Sequence, residues 1–216
     1  MAGWFGRGAL EQGSLDFGAG DGVDGAAPTQ PWWDRLFFAI KPPSELLPAI
    51  ERLAEGERRG WALKGRPLIP GRLHATLFAF PLRRGVPAEL LNLLGRVAAD
   101  ISTPPFRVRF SHAKSYSGPK RSHAFVLHGD GAETAGLMAF QARLHATLVR
   151  HGCAPDWPMR YDPHLTLLYD HRVVSEHAVE PVSWTVEDFV LVHSLVGRTQ
   201  HVECGRWPLR GGAAVH

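Results

Sequence analysis

Cysteine is scarce in this sequence: only Cys153 and Cys204 occur among its 216 residues. The two lie far apart and neither belongs to a Cys-x-x-Cys pair, so the sequence indicates neither a zinc site nor a disulfide framework. We expect both thiols to be reduced and structural.

Long apolar runs are also missing. No stretch approaches the ~20 apolar residues of a membrane-spanning helix, and the N-terminal residues lack the charged and then apolar regions of a signal peptide. We therefore expect a cytoplasmic protein with no membrane contact. The formal net charge is only +3, although twelve histidines can add positive charge as the pH falls. This balance is compatible with an anionic ligand but does not require one.

The chain is long enough to bury one hydrophobic core, either in a single lobe or shared between two small lobes. We expect no second large domain. Residues 1–32 are rich in Gly and Ala and have no sustained period, which predicts a disordered extension. We expect the folded domain to cover residues 33–210, to be a monomer, and to be followed by a flexible tail at 211–216. Within the extension, residues 12–17 resemble the Gln-x-x-Leu-x-Phe peptides that dock weakly on bacterial sliding clamps; the alternative is an unstructured linker.

Apolar periodicity predicts an alternation of strands and helices. The helices are predicted from Ser44, as N-cap, to Arg58, from Pro87, as first residue, to about Val97, and from Thr134 to His151. The strands are predicted at 34–40, 72–81, 106–110, 124–127, 162–169, 185–196 and 200–207. Turns at 117–119 and at Gly197 would each close a hairpin. This order predicts an α+β fold with largely antiparallel sheets.

Two of the predicted strands carry the same polar pair. In each, a His and a Thr two positions later share one face of the strand, and apolar residues surround them: His74 with Thr76, and His164 with Thr166. Each strand follows its own helix, so we expect duplicated lobes that face each other across a central cleft, with the helices outside. Such a cleft would build one site from two halves.

A third copy of the pattern tests this interpretation. The string Arg-Leu-His-Ala-Thr-Leu at residues 72–77 recurs letter for letter at 143–148. There Leu137, Phe140, Leu144 and Leu148 follow a helical period, and helical residues two apart diverge by about 200°. His145 and Thr147 are therefore not expected to face one ligand.

Two opposed histidines suit the hydrolysis of a five-membered cyclic phosphate. A base must take a proton from the attacking water and an acid must protonate the departing ribose oxygen, and imidazole can do either near pH 7. The Thr76 and Thr166 hydroxyls can donate hydrogen bonds to the phosphoryl oxygens. No cluster of residues has metal-ligand spacing, so we expect neither a metal ion nor another cofactor.

The paired motifs His74-Ala75-Thr76-Leu77 and His164-Leu165-Thr166-Leu167 resemble the signature of the two-histidine (2H) phosphoesterases. The similarity is to their RNA 2',3'-cyclic phosphodiesterase group, also called 2'-5' RNA ligase-like. Residues 35–40 resemble that family's first strand, and 189–194 with 206–209 resemble its C-terminal hairpin, so the resemblance covers about 34–209.

The resemblance implies a bilobal fold and hydrolysis of 2',3'-cyclic phosphate ends of RNA or nucleotides to a 2'-phosphomonoester. It further implies that His164 is the general base toward water and His74 the general acid toward the leaving oxygen. Leu168-Tyr169 stands where many members carry Ala-Arg, and Ala75 replaces a larger residue. Candidates for the missing arginine's phosphate contact are Arg72, Arg160, Lys120 and Arg121.

Three aromatic residues, Tyr161, Tyr169 and Phe80, are candidates either for stacking on a base or for the core. Two other functions stay open at this point. The same histidines could join RNA ends through a 2'-5' linkage, and the fold could bind a nucleotide or RNA end without turnover.

Overall fold

The computed structural model describes residues 35–81, 85–117, 122–156, 160–195 and 200–211. Its strands are β1 (Arg35–Ile40), β2 (Ala75–Pro81), β3 (Phe106–Ser115), β4 (His123–His128), β5 (His164–Asp170), β6 (His177–Val186), β7 (Asp188–Leu195) and β8 (Gln200–Pro208). Its α-helices are α1 (Leu47–Gly60), α2 (Ala88–Ala99) and α3 (Ala135–Arg150), and single 3₁₀ turns span Ser44–Leu46 and Pro70–Arg72. None of the helices in these ranges is long and apolar enough to cross a membrane.

The strands form two four-stranded sheets in which every neighbouring pair is antiparallel. One sheet has the order β2-β1-β7-β8 and the other β5-β4-β3-β6. The fold is therefore α+β and bilobal, with the helices outside, as the sequence predicted. The two motif strands, β2 and β5, are edge strands of their sheets and lie next to each other.

The two halves repeat one arrangement. In each, a strand is followed by a helix and then by the antiparallel edge strand that begins at the motif: β1, α1 and β2 in one half, β4, α3 and β5 in the other. Each edge strand also has one residue without a counterpart on its neighbour, Leu77 in β2 and Leu167 in β5. Each of these irregularities falls directly after the motif threonine, so the two motifs have the same local geometry.

Burial distinguishes the two faces of strand β1. Leu36, Phe38 and Ile40 of β1 lie in the main core with Ile50 of α1, because alternate residues of a strand face one side. Phe37 and Ala39 point the other way and form a second buried cluster with Val190. The side of the sheet that carries His74 is therefore partly lined by apolar side chains.

Two strands differ from the sequence-based predictions. Strand β6 is absent from them because its edge position lets it expose alternate residues and hold Pro181, both of which weaken a strand signal. The strand predicted at 185–196 is in fact the end of β6 and then β7, which belong to different sheets and are divided at Glu187.

The caps of two helices and the exposure of one cysteine also differ from the sequence-based predictions. Ser44 is not an N-cap but opens the 3₁₀ turn before α1, and Pro87 is the N-cap of α2 rather than its first residue. Both cysteines are free; Cys153 is buried as expected, whereas Cys204 is exposed. The predicted turn at 117–119 apart from Ser117, the predicted turn at Gly197, the extension with its 12–17 peptide, and most of the tail lie outside the described residues.

Candidate active site

His74 lies immediately before the first residue of β2, whereas the sequence predicted it within the strand. Its Nδ1 is 2.6 Å from the carbonyl oxygen of Arg72, and its ring stacks on Phe37 with the centroids 4.7 Å apart. A carbonyl can only accept a hydrogen bond, so Nδ1 carries the proton in the neutral ring. Nε2 is then the nitrogen that bears the lone pair.

His164 begins β5 and is held in the same way. Its Nδ1 is 2.8 Å from the carbonyl oxygen of Asp162, again two residues upstream. The edge of its ring meets Tyr116, with centroids 5.1 Å apart, and the Tyr116 hydroxyl donates to the Asp162 carboxylate at 2.7 Å. Burial, followed by this carboxylate, raises the pKa of Tyr116, which keeps the phenol neutral. Both motif histidines thus have Nε2 as the basic nitrogen.

The site's electrostatics distinguish the two halves. The pKa of His74 is lowered to about 3, chiefly because burial disfavours the charged ring, and positive charge on His201, His164 and Lys41 adds to this effect. The two motif strands lie next to each other, so His164 is near enough to contribute to this shift. In the ligand-free protein His74 is therefore neutral at pH 7.

His201 on β8 is a site residue that the sequence did not reveal. Its ring lies edge-on to His74, with centroids 5.3 Å apart, and edge-on to Phe37 at 5.6 Å. Burial, then Arg72 and Lys41, lowers its pKa to about 4. No local pattern marks this histidine, because β8 is the opposite edge of the sheet from β2 and only contacts between β8 and the 3₁₀ turn before His74 bring the two rings together. The site's first half therefore holds two neutral imidazoles rather than one.

The two threonines share the faces of their histidines. Thr76 and Thr166 are half-buried, like His74 and His164, whereas the intervening Ala75 and Leu165 are fully buried. The face predicted from strand alternation is therefore the face observed. Each hydroxyl is accessible from the side on which the imidazole of its own motif lies.

The third copy of the motif lies in α3, as predicted. His145 Nε2 is 3.1 Å from the carbonyl oxygen of Pro155 and its ring stacks on Phe78, while the Thr147 hydroxyl donates to the Arg143 carbonyl within the helix. The two side chains are thus engaged with different parts of the protein, and His145 does not join the site.

The other predicted contact residues have mixed positions. Arg72 lies in the 3₁₀ turn before His74 and acts electrostatically on His201, whereas Arg160 is exposed and Tyr169 half-buried. Phe80 belongs to the core and Tyr161 packs against it, which favours the structural alternative for both. Lys120 and Arg121 lie outside the described residues. Within the described ranges, no group of three His, Cys, Asp or Glu side chains could hold a metal ion.

Comparison with solved structures identifies the class to which this fold belongs. The apo structure of E. coli LigT matches with a TM-score of 0.62 and 26% identity over 83% of this chain and 99% of that one. LigT complexed with 3'-AMP matches with a TM-score of 0.61 and 27% identity over 82% and 99% of the two chains. TT0787 of Thermus thermophilus shares the fold, with a TM-score of 0.64 and 23% identity over 83% and 100%. No curated protein sequence matches the chain significantly.

The sequence comparison then gives the family. Residues 42–198 match the family described as the 2'-5' RNA ligase superfamily, which covers more than half of the chain. The chain belongs to this superfamily and has the 2H phosphoesterase fold.

Proposed function

We propose that this protein hydrolyses the 2',3'-cyclic phosphate ends of RNA or nucleotides to 2'-phosphomonoesters without a metal ion. The observation that carries the proposal is the matched pair of histidines on adjoining edge strands. Each has Nδ1 fixed by a carbonyl two residues upstream, which makes Nε2 the nitrogen that exchanges protons. This is the arrangement that an acid and a base acting on one phosphorus atom require.

His164 acts as general base and takes a proton from the attacking water through Nε2. His74 acts as general acid and protonates the departing ribose oxygen, for which it must first become charged. A phosphoryl group in the site supplies the opposite charge that favours the imidazolium, so substrate binding raises the low pKa of His74. Thr76 and Thr166 donate hydrogen bonds to the non-bridging oxygens as charge develops there.

Two other functions compete with hydrolysis. The family description favours 2'-5' end joining, which is the same chemistry with an RNA hydroxyl in place of water. Dilute RNA ends compete poorly with ~55 M water, so hydrolysis is the expected net direction. The LigT structures with 3'-AMP, ATP and NADP+ favour a nucleotide-binding role, which would need no turnover.

A turnover assay with adenosine 2',3'-cyclic phosphate tests the proposal. The protein is incubated in excess EDTA and the products are followed by ³¹P NMR, which separates the 2'-phosphate from the 3'-phosphate and from the cyclic ester. We expect the 2'-phosphate to accumulate at an unchanged rate in EDTA. Binding of the cyclic ester without turnover would favour the binding role. Activity that EDTA removes and a divalent ion restores would contradict the metal-independent mechanism.

A further inference from the structure

Three histidines form a row across one sheet, and only the first belongs to the motif. In β5, His164 stands directly opposite His128 of β4, and His128 stands directly opposite His112 of β3. Residues directly opposite in an antiparallel pair share a face, so all three side chains are on the His164 face. The His112 and His128 ring centroids are 5.8 Å apart. With strands ~4.8 Å apart, the row extends about two strand spacings from His164.

A lysine flanks this row on the same face. Lys114 follows His112 by two positions, and its Nζ lies 6.0 Å from the centroid of Tyr116, the ring that contacts His164. Lys114 Nζ is also 3.0 Å from Glu176 Oε2, and the same oxygen is 3.3 Å from His128 Nε2. Lys114 donates a hydrogen bond to this oxygen and His128 Nε2 lies near it without one, so the carboxylate stands between the two nitrogens as a bound anion would.

The rings of His112 and His128 each leave one nitrogen for a further polar partner. Ser111 Oγ is 2.5 Å from the Glu133 carboxylate and 2.9 Å from His112 Nδ1. The hydroxyl hydrogen points to the carboxylate, so Ser111 accepts from His112 Nδ1–H and leaves Nε2 of that ring for a ligand. His128 is only 8% exposed, yet its Nε2 has no hydrogen-bond partner among the described residues, because the approach of Glu176 lacks hydrogen-bond geometry. A buried nitrogen of this kind is expected to meet a polar partner.

We propose that His112, Lys114 and His128 form a second phosphate subsite, which binds the 5'-phosphate of the terminal nucleotide while its cyclic phosphate lies at His164. This inference rests on the proposed function. It narrows the substrate from any 2',3'-cyclic phosphate to one that also carries a 5'-phosphate, which is either the end of an RNA chain or a 5'-phosphorylated nucleotide. Glu176 lies between Lys114 and His128, at the position that the phosphate would take. An incoming phosphate displaces it and takes over Lys114 and the buried His128.

Two substrates that differ by one phosphate test the subsite: adenosine 2',3'-cyclic phosphate with and without a 5'-phosphate. For the wild-type protein we expect kcat/KM to be ~10-fold or more higher with the 5'-phosphate, mainly through KM, since charge-assisted hydrogen bonds are the stronger ones. Lys114→Met and His112→Gln should each bring this ratio toward one. Glu176→Gln should raise the ratio, because it removes the competing carboxylate.

Lys114→Met should lower the ratio and Glu176→Gln should raise it, so the test stays decisive if one of these variants folds poorly. Arg52→Met, which removes a cation from the exposed face of α1, should leave the ratio unchanged. A wild-type ratio near one, or a ratio that neither Lys114→Met nor Glu176→Gln alters, would overturn the subsite while leaving the hydrolase intact. If neither compound is hydrolysed, the proposed function falls. In that case calorimetry on the same variants gives the dissociation constants of the two compounds. The ratio of these constants then replaces the kcat/KM ratio as the test of the subsite.

Discussion

At the scale of single side chains, the two motif histidines are held alike but differ in their surroundings. Both fix Nδ1 on a carbonyl, but His74 is stacked on Phe37 and lies beside His201. Burial there lowers the pKa of His74 to about 3. A general acid must carry a proton, so the role that we propose for His74 requires a bound anion to raise this pKa, and it predicts that anion binding is coupled to proton uptake.

This coupling can be measured with sulfate, which does not itself titrate near neutral pH. At pH 6 we expect sulfate binding to take up as much as about one proton, and its affinity to weaken as the pH rises. Calorimetry in two buffers of different ionisation enthalpy measures the uptake. His74→Gln should reduce it clearly. Equal apparent enthalpies in both buffers would show that sulfate binding does not charge His74.

The threonine hydroxyls offer a second test at this scale, with a control built into the sequence. Thr76→Val removes a hydroxyl without changing the shape of the side chain, and we expect kcat to fall by ~10² with a smaller change in KM, because the donor acts as charge develops. Thr147→Val alters the same residue in the identical hexapeptide of α3, and its kcat should stay near the wild-type value. Equal losses in both variants would remove Thr76 from the mechanism.

The sequence predicted the placement of those residues whose position follows from local geometry. His74 with Thr76 and His164 with Thr166 could be assigned because strand alternation fixes a shared face, and His145 could be excluded because a helix separates residues two apart. The position of His201, and the alignment of His112 and His128 with His164, could not be found in this way. They depend on which strands are neighbours and in what register, which is set by contacts far apart in the sequence.

At the scale of elements, the segment between α1 and β2 ties the two halves together. The Asp170 carboxylate, only 6% exposed, accepts hydrogen bonds from the backbone N–H groups of Lys64, Gly65 and Arg172 at 2.5, 2.7 and 2.8 Å. Burial opposes the charge, but these donors hold the pKa of Asp170 below its ordinary value. Nearby, Leu68 N–H donates to the Leu167 carbonyl at 2.7 Å. The chain that leads to His74 is thus attached to the strand that carries His164.

Gly65 shows how close this attachment is. A Cβ at that position would lie 1.9 Å from the carbonyl oxygen of Tyr169, which is backbone and cannot move aside cheaply. Only glycine therefore allows the segment to reach Asp170.

We predict that Asp170→Asn weakens both stability and catalysis. The amide cannot accept from all three N–H groups as the carboxylate does, which should lower the free energy of unfolding by ~1–3 kcal/mol. The shift of His74 relative to His164 should lower kcat by ~10- to 10²-fold at a temperature well below Tm. Urea unfolding and steady-state kinetics measure the two effects.

A stability-matched variant separates the two effects. Ile50→Val shortens a buried side chain of α1 and should cost ~0.5–1.5 kcal/mol with little change in kcat. If Asp170→Asn is less stable than wild type but has the same kcat, then Asp170 supports the fold and does not position the histidines.

The elements themselves were largely predictable. Within the described ranges, the three helices and seven of the strands were predicted from apolar periodicity. Most of these elements bury one face, whereas β8 has no buried residue. The edge strand β6 did not, since its exposed positions and Pro181 give no continuous signal. Nothing local could predict that Glu187 is the point at which the chain passes from one sheet to the other.

At the scale of the whole molecule, two halves of the chain repeat one arrangement and bring their motif strands side by side. The order strand, helix, edge strand recurs, and a register irregularity follows the threonine in each motif strand. The sequence indicated duplicated lobes because each motif strand follows its own helix. It could not show that β2 and β5 are edge strands that lie side by side, which is what places His74 and His164 in one cleft.

The most direct test of this two-half site is single-turnover hydrolysis of adenosine 2',3'-cyclic phosphate by three single alanine variants and one double variant, with circular dichroism to check folding. His74→Ala and His164→Ala should each lower the rate by ~10² to 10⁴, and the double variant should lose far less than the product of the two effects, because the residues act as a unit. His145→Ala, in the identical hexapeptide of α3, should keep most of the wild-type rate. A folded His145→Ala as inactive as His164→Ala would contradict a site built from β2 and β5.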